Sequence, residues 1–319
     1  MGAVLGSPPI GATRVFGGYG PSVTLRIRLA DGRRVFAKGA GPTSNEVNWE
    51  SVALEETAYQ ELSCIAGLAP LYLGSVKTEE WHLLLLEDLS AATSVPPWTD
   101  EHARRAIRDL TALHVRGRSD AGAAKPLELV GLTDNWRRLR DDAAVRAQLL
   151  RLFGREQKGA AAWLCRTLDA LVTAESAVAR HDQPLSVIHT DVRSDNLRFR
   201  HGALVLFDWP GASWGPCILD ICAFLPSVVS EAGPPAAELL AEYRDEMADA
   251  GMDVPDWAAA ASAAAVAGYF AARAGVSPLE GLPRLRAVQQ IQLGPALSIA
   301  ASWLDLPEPP HLPPRGPEA

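Results

Sequence analysis

Apolar positions alternate along the first forty residues and then change period. Residues 13–18 (TRVFGG) and 24–39 (TLRIRLADGRRVFAKG) alternate in a β-rich pattern, and Asp31–Gly32 supplies a hairpin turn signal. Between the two runs lies GGYGPS, a glycine-rich turn. From residue 48 the spacing becomes helical (NWESVALEETAYQELSCIAGLAP), and Gly67 and Pro70 give stop signals. WHLLLLEDLS, 81–90, is short and apolar and ends in acidic residues, as expected of a buried strand leading into a connector. Beyond SVPPWTD the pattern is that of long helices over 100–117, 159–180 and 255–275, the last rich in alanine. Only the stretch 186–208 interrupts it, with two β-like runs, SVIH and ALVLFD. The expected fold class is therefore α+β and bilobal: a small β-rich lobe over 1–88, a linker over 89–96, and a larger, mostly helical lobe over 97–305. A Pro-rich segment over 306–319 should be extended or frayed.

Composition narrows the function classes. The 319 residues are 48% hydrophobic and 21% charged, with a net charge of −8. Such a balance argues against a general nucleic-acid or anionic-membrane surface. The four cysteines, Cys64, Cys165, Cys217 and Cys222, form no CxxC pair and no zinc-ligand spacing, which suits thiols in a reduced compartment. No apolar stretch reaches membrane-spanning length free of charge or proline, and the N-terminus lacks a secretory pattern, so a cytoplasmic protein is expected.

The densest chemistry lies in VIHTDVRSDNLRF, 187–199, where five polar or charged groups fall within eight positions. Asp191 and Asn196 are five apart, and Asp208 ends an apolar run twelve residues after Asn196. An isolated Asp–Asn pair is ordinarily a turn or a helix cap. A carboxylate followed by an amide and a second carboxylate on neighbouring turns is, however, what phosphoryl transfer needs: one group orients the attacking hydroxyl, and two oxygen ligands hold magnesium.

The stretch resembles the catalytic and metal loops of the protein-kinase-like superfamily, and most of all the aminoglycoside phosphotransferase family, whose His-x-Asp-x4-Asn pattern and later Asp are matched by His189, Asp191, Asn196 and Asp208. The resemblance implies Asp191 as catalytic base or hydroxyl-orienting group, Asn196 and Asp208 as magnesium ligands, and His189 as a brace. It also implies ATP or GTP as co-substrate and a hydroxyl on a small molecule as acceptor, antibiotics included. Such a fold needs a lysine late in the small lobe and a glutamate on the next helix. Lys38, one of two lysines in the first 88 residues, ends VFAK. Glu55 fits the family-like Glu-x3-Tyr-x2-Leu pattern; Glu56 is the alternative, since neighbouring helix positions face about 100° apart and the rejected one becomes a surface charge. Gly18, Gly20 and Ser22 would form the nucleotide loop, or a plain turn. Backbone groups from Glu87 to Leu89 would read the purine edge. Asp220 matches a later Asp that buttresses the catalytic loop. Arg193 would contact the γ-phosphate or else pair with Asp195.

Other readings remain beside this one. The acceptor could be a metabolite of the choline, homoserine or methylthioribose kind. GASWG at 211–215 fits a nucleophile elbow with Ser213 as nucleophile, though the only later histidine is His311. Seven acidic residues and one basic fall between 238 and 256, either as a surface attracting a cationic acceptor or as a solvated helix face. Trp209, Trp214, Trp257 and Trp303 could stack on an acceptor or fill the core.

Overall fold

The protein was analysed as a computed structural model, which describes residues 1–15, 23–277 and 283–313. After a short turn of helix α1 (Gly2–Leu5), strands β1 (Pro9–Arg14), β2 (Val23–Leu29) and β3 (Arg34–Ala40) are followed by helix α2 (Glu46–Glu61), β4 (Tyr72–Lys77) and β5 (His82–Glu87). They form an antiparallel sheet in the order β1-β2-β3-β5-β4. The turn at Asp31–Gly32 is present, with Gly32 at φ 89°. Strand alternation divides β3 in two: Val35 and Ala37 enter a core with Ile27, Leu29 and Leu85, whereas Ala40 packs with Val52 of α2 on the opposite face. Lys38 shares the parity of Ala40 and so points towards α2.

Helix α2 begins at Asn45, whose side chain accepts the Asn48 amide at 3.0 Å. It ends at Glu61, six residues before the expected glycine stop. Leu62 is extended, a 3-10 turn covers Ser63–Ile65, and Gly67 at φ 81° turns the chain towards β4. The strand β4 has no run of alternating apolar residues and was not foreseen; its pairing with β5 creates it.

The helical lobe comprises α3 (Asp100–Gly117), α4 (Asn135–Asp141), α5 (Ala143–Arg151), α6 (Gln157–Ser176), α7 (Ile218–Ser230), α8 (Ala236–Asp249), α9 (Asp256–Ala271) and α10 (Pro283–Trp303). Thr99 caps α3, Asp100 and Glu101 open it, and its buried stripe runs through Ala103, Ala106, Ile107, Leu110, Leu113 and His114. The alanine-rich α9 is buried all round, so small side chains let α6, α7 and α10 pack closely against it.

Two short ladders interrupt the helices. β6 (Leu185–Ile188) pairs with β9 (Ser213–Pro216), and β7 (Leu197–Arg200) pairs with β8 (Ala203–Leu206). The β7–β8 turn places His201 at φ 52° and Gly202 at φ 79°, the double left-handed geometry of a tight hairpin. Only β6 and β8 show as apolar runs; β7 alternates with Arg198 and Arg200, and β9 contains a glycine and a proline. The Pro-rich end is extended over its described part but docked rather than frayed: the Trp163 indole donates to the Pro307 carbonyl at 2.6 Å, and Leu312 packs on the large core. Cys64, Cys217 and Cys222 are buried and Cys165 is exposed, all as free thiols. Among the described residues no helix is long and apolar enough to cross a membrane.

Candidate active site

The ladders aim two loops at the β-sheet. Residues 189–196 join β6 to β7, and 207–212 join β8 to β9. The first is built around Asp220, which lies fully buried at the start of α7. Its carboxylate accepts the His189 and Thr190 amides, each at 2.7 Å, and faces His114 Nε2 at 3.2 Å. His114 Nδ1 in turn meets the Tyr243 hydroxyl at 2.8 Å. Two adjacent amides on one carboxylate hold Thr190 at φ 71°, a left-handed geometry that needs such support. Gly211 makes the closest approach to this turn: a Cβ there would meet Thr190 Oγ1 at 2.3 Å.

His189 braces both loops. Its Nε2 bonds the Phe207 carbonyl at 3.1 Å and its Nδ1 faces the Asp191 amide at 3.3 Å, which assigns the proton to Nε2. Trp209 lies edge-on to the same imidazole, centroids 4.5 Å apart. Asn196 donates through Nδ2 to the Asp191 carbonyl at 3.0 Å and to Asp191 Oδ2 at 2.8 Å. Its Oδ1 is thereby turned away as an acceptor. Arg193 lies between Asp195 Oδ1, at 3.0 Å, and Asp191 Oδ1, at 3.3 Å, so the ion pair with Asp195 is formed. Depth in the cleft pushes the Asp191 carboxyl pKa up, against the pull of Arg193 and His189, although half of the side chain faces open space.

From the sheet side, Lys38 reaches Glu55 Oε2 at 2.7 Å and bonds Asp208 on the second loop. Asp208 adopts φ 74°, which turns its carboxylate towards the lysine. Burial alone would weaken both charges; the flanking carboxylates overcome it and raise the Lys38 pKa, and the lysine holds Asp208 below its ordinary value. Glu55 is the partner of Lys38, as the sequence pattern favoured. Glu56, however, is no surface charge. It is 4% exposed and bound by the Tyr72 hydroxyl (2.7 Å), Lys77 Nζ (2.6 Å) and His82 Nε2 (2.9 Å). Burial opposes its ionisation, but these donors bring its pKa down to about 2.

At the connector, the Glu87 amide donates to the Leu71 carbonyl at 2.9 Å and its carboxylate pairs with Arg200. The Leu89 carbonyl accepts from Ala92 at 3.0 Å, while among the described residues the Leu89 amide has no acceptor. Gly18, Gly20 and Ser22 lie outside the described residues.

The sequence profile of the phosphotransferase enzyme family matches residues 50–262, more than half of the chain. The chain belongs to this family. Solved structures agree on the fold. Spectinomycin phosphotransferase, determined with ADP and spectinomycin, is 12% identical with a TM-score of 0.62 over 94% of this chain and 95% of that one. A choline/ethanolamine kinase family protein from Mesorhizobium loti is 16% identical, with a TM-score of 0.56 over 96% and 94%. Macrolide 2′-phosphotransferase type I is 19% identical, with a TM-score of 0.56 over 92% and 94%. No curated protein matches the chain.

Within this phosphotransferase fold, Ser213 cannot form a nucleophile elbow. It is buried inside β9, not on a strand-to-helix turn, and its hydroxyl donates to the Gly211 carbonyl at 2.8 Å. A cavity of about 630 Å³ opens on the other side of Asp191, lined by the catalytic loop, the 125–132 segment, α7, α9 and α10. None of the four tryptophans considered as stacking groups lines it; Tyr269 and Phe270 do. The acidic stretch lies elsewhere, with Glu238 and Glu242 paired to Arg104 and Arg108 of α3.

Sequence reasoning missed His114, Tyr243 and Glu231. Glu231 accepts from Ser194 Oγ at 2.5 Å and from the Trp98 indole at 2.8 Å, tying the catalytic loop to the chain ahead of α3. One signal existed: His114 stands on the apolar stripe of an amphipathic helix, where a histidine needs a buried partner.

Proposed function

We propose that the protein transfers the γ-phosphate of ATP or GTP to a hydroxyl of a small molecule. The observation that carries this reading is Lys38 held between Glu55 and Asp208, residues brought together across 170 positions of chain, directly beside the Asp191–Asn196 pair. Lys38 would grip the α- and β-phosphates as a compact cation fixed by Glu55. The Leu89 amide would read the purine edge. The donor set suits magnesium: Asn196 Oδ1 is turned outward by the bonds of its own amide nitrogen, and Asp208 keeps one oxygen beyond its lysine contact. Among the described residues no group of three or more His, Cys, Asp or Glu side chains could hold a metal, and the proposed ligands are the two hard oxygens of Asn196 and Asp208. Magnesium bound there would neutralise charge on the phosphate oxygens.

Asp191, fixed by Asn196 and Arg193, would orient the acceptor hydroxyl and receive its proton, a task its raised pKa favours. Arg193, clamped between two carboxylates, would keep positive charge near the transferred group. Family membership supports the reaction class. The acceptor could be an antibiotic, as in the spectinomycin and macrolide enzymes of like fold, or a metabolite, as in the choline/ethanolamine kinase family. A phosphate-transfer screen of hydroxylated small molecules, run with ATP and GTP in parallel, tests the reading. It predicts a phosphorylated product and ADP or GDP in equal amounts. Nucleotide hydrolysis with no acceptor modified across the panel would count against it.

A further inference from the structure

The cavity beside Asp191 has a chemical character of its own. Its volume suits a drug-sized molecule. Leu127, Leu132, Leu219, Val266 and Phe270 make much of its wall. Val130, at the rim, is 93% exposed and extends the apolar surface to the cavity mouth.

The charges point the same way. Arg193 is paired with Asp195 and Asp191, which leaves Lys125 and Arg273 beside a single further carboxylate, Glu128, among the lining residues described. Arg273 bonds only neutral oxygens, at Asn135 Oδ1 (2.9 Å), the Gly131 carbonyl (2.8 Å) and the Tyr269 carbonyl (3.2 Å), and stacks on the Tyr269 ring. Among the described residues no carboxylate lies at contact distance from it. The seven acidic residues of 238–256, which could have attracted a polycation, are all absent from the wall.

A neutral polar group completes the wall. Gln292 of α10 is 6% exposed and lines the cavity, yet among the described residues its amide has no hydrogen-bond partner. Its polar atoms are open to the cavity, where they can exchange water for a bound hydroxyl or carbonyl.

We infer that the acceptor is an amphipathic hydroxyl compound with an apolar body and no more than one positive charge, hydrogen-bonded by Gln292, and that the cavity discriminates against polycationic aminosugars. This rests on the phosphotransferase reading for its meaning as an acceptor site. Each ammonium of a polycation would have to shed water against apolar wall and beside the Arg273 guanidinium, with Glu128 as the one free carboxylate among the described lining residues to meet it. The apolar wall instead rewards an uncharged body, by roughly 25 cal/mol for each Å² covered.

The test uses the full-length protein and two probes, octyl β-D-glucoside below its micelle concentration and the tetra-amine neamine, in titration calorimetry with ADP and magnesium present. The glucoside should bind at least about tenfold more tightly than neamine. Ala223→Trp, which fills the cavity from α7, should remove glucoside binding, and Gln292→Leu should weaken it about fivefold. Val130→Asp changes a side chain already in solvent, so it should fold normally and weaken the glucoside several-fold; thermal melting checks each variant. Equal or tighter binding of neamine, no binding of the glucoside, or glucoside binding unchanged in Val130→Asp overturns the inference. ADP titration in the same cell reads the nucleotide site separately: its failure would strike the phosphotransferase reading and leave the cavity result standing.

Discussion

The two sides of Asp191 are built on opposite principles. Towards the β-sheet, Lys38, Glu55, Asp208 and Asn196 are joined to one another or to Asp191 by ion pairs and hydrogen bonds. Towards α9 and α10 the wall is largely apolar; among the described residues Lys125 and Arg273 have no carboxylate partner, and the Gln292 amide is open to the cavity. A closed polar network has one low-energy arrangement, so it can hold reacting groups in place. An apolar wall tolerates changes of shape, so it can select one molecule rather than another. On the proposed reading, the chemistry and the choice of acceptor would be carried by different physics a few residues apart.

The largest effect should come from the residue shared by both sides. Asp191→Ala should lower turnover by roughly a thousandfold or more, within the range for loss of a general base, while ADP affinity stays within about twofold. Steady-state kinetics beside calorimetry checks this split. Asp208→Ala should come next, weakening magnesium-dependent ADP binding by about tenfold or more and flattening the magnesium titration, because it would remove one of the two proposed hard ligands. Chelating the metal from the wild-type protein should mimic it.

A sharper contrast lies within two adjacent side chains. Glu55→Gln should raise the nucleotide KM with a small change in melting temperature. Glu56→Gln should do the reverse, costing about 1–3 kcal/mol of stability through its lost ion pairs and leaving ADP affinity unchanged. Equal effects on both quantities would erase the distinction between the two glutamates.

A slower, pH-linked effect is expected away from the site. Glu175 of α6 is buried, and desolvation lifts its pKa to about 7, although the Asn135 and Trp136 amides donate to it at 3.1 Å. A carboxyl whose folded pKa is raised favours the folded state in its protonated form. Its contribution is full below about 4.5 and fades as pH rises through about 7. Glu175→Gln should flatten the fall in melting temperature between pH 5 and pH 7.5. Ser213→Ala should do least of all, with turnover within about twofold of wild type.

The sequence was most legible where spacing is local and chemistry is fixed. His189, Asp191, Asn196 and Asp208 fall within twenty residues. Helix α3 was legible end to end because its cap and its apolar stripe agree. Glu56 was misjudged because its partners, Tyr72, Lys77 and His82, sit on strands of which one, β4, has no readable period. Asp220 was expected to buttress the loop, but its link to His114 and Tyr243 joins α7 and α8 to α3, more than a hundred residues earlier. The cavity was hidden for a related reason: its wall draws on the 125–132 segment, the 189–196 loop, α7, α9 and α10, and tertiary packing alone gathers them.

The central claim is that Asp191 directs a nucleotide's γ-phosphate onto a small-molecule hydroxyl. Incubation of wild-type protein and Asp191→Ala with γ-labelled ATP or GTP, magnesium and a panel of hydroxylated compounds tests it most directly. The account predicts label on a hydroxyl of an acceptor with wild-type protein and almost none with the variant. Label transferred equally well by Asp191→Ala would contradict it.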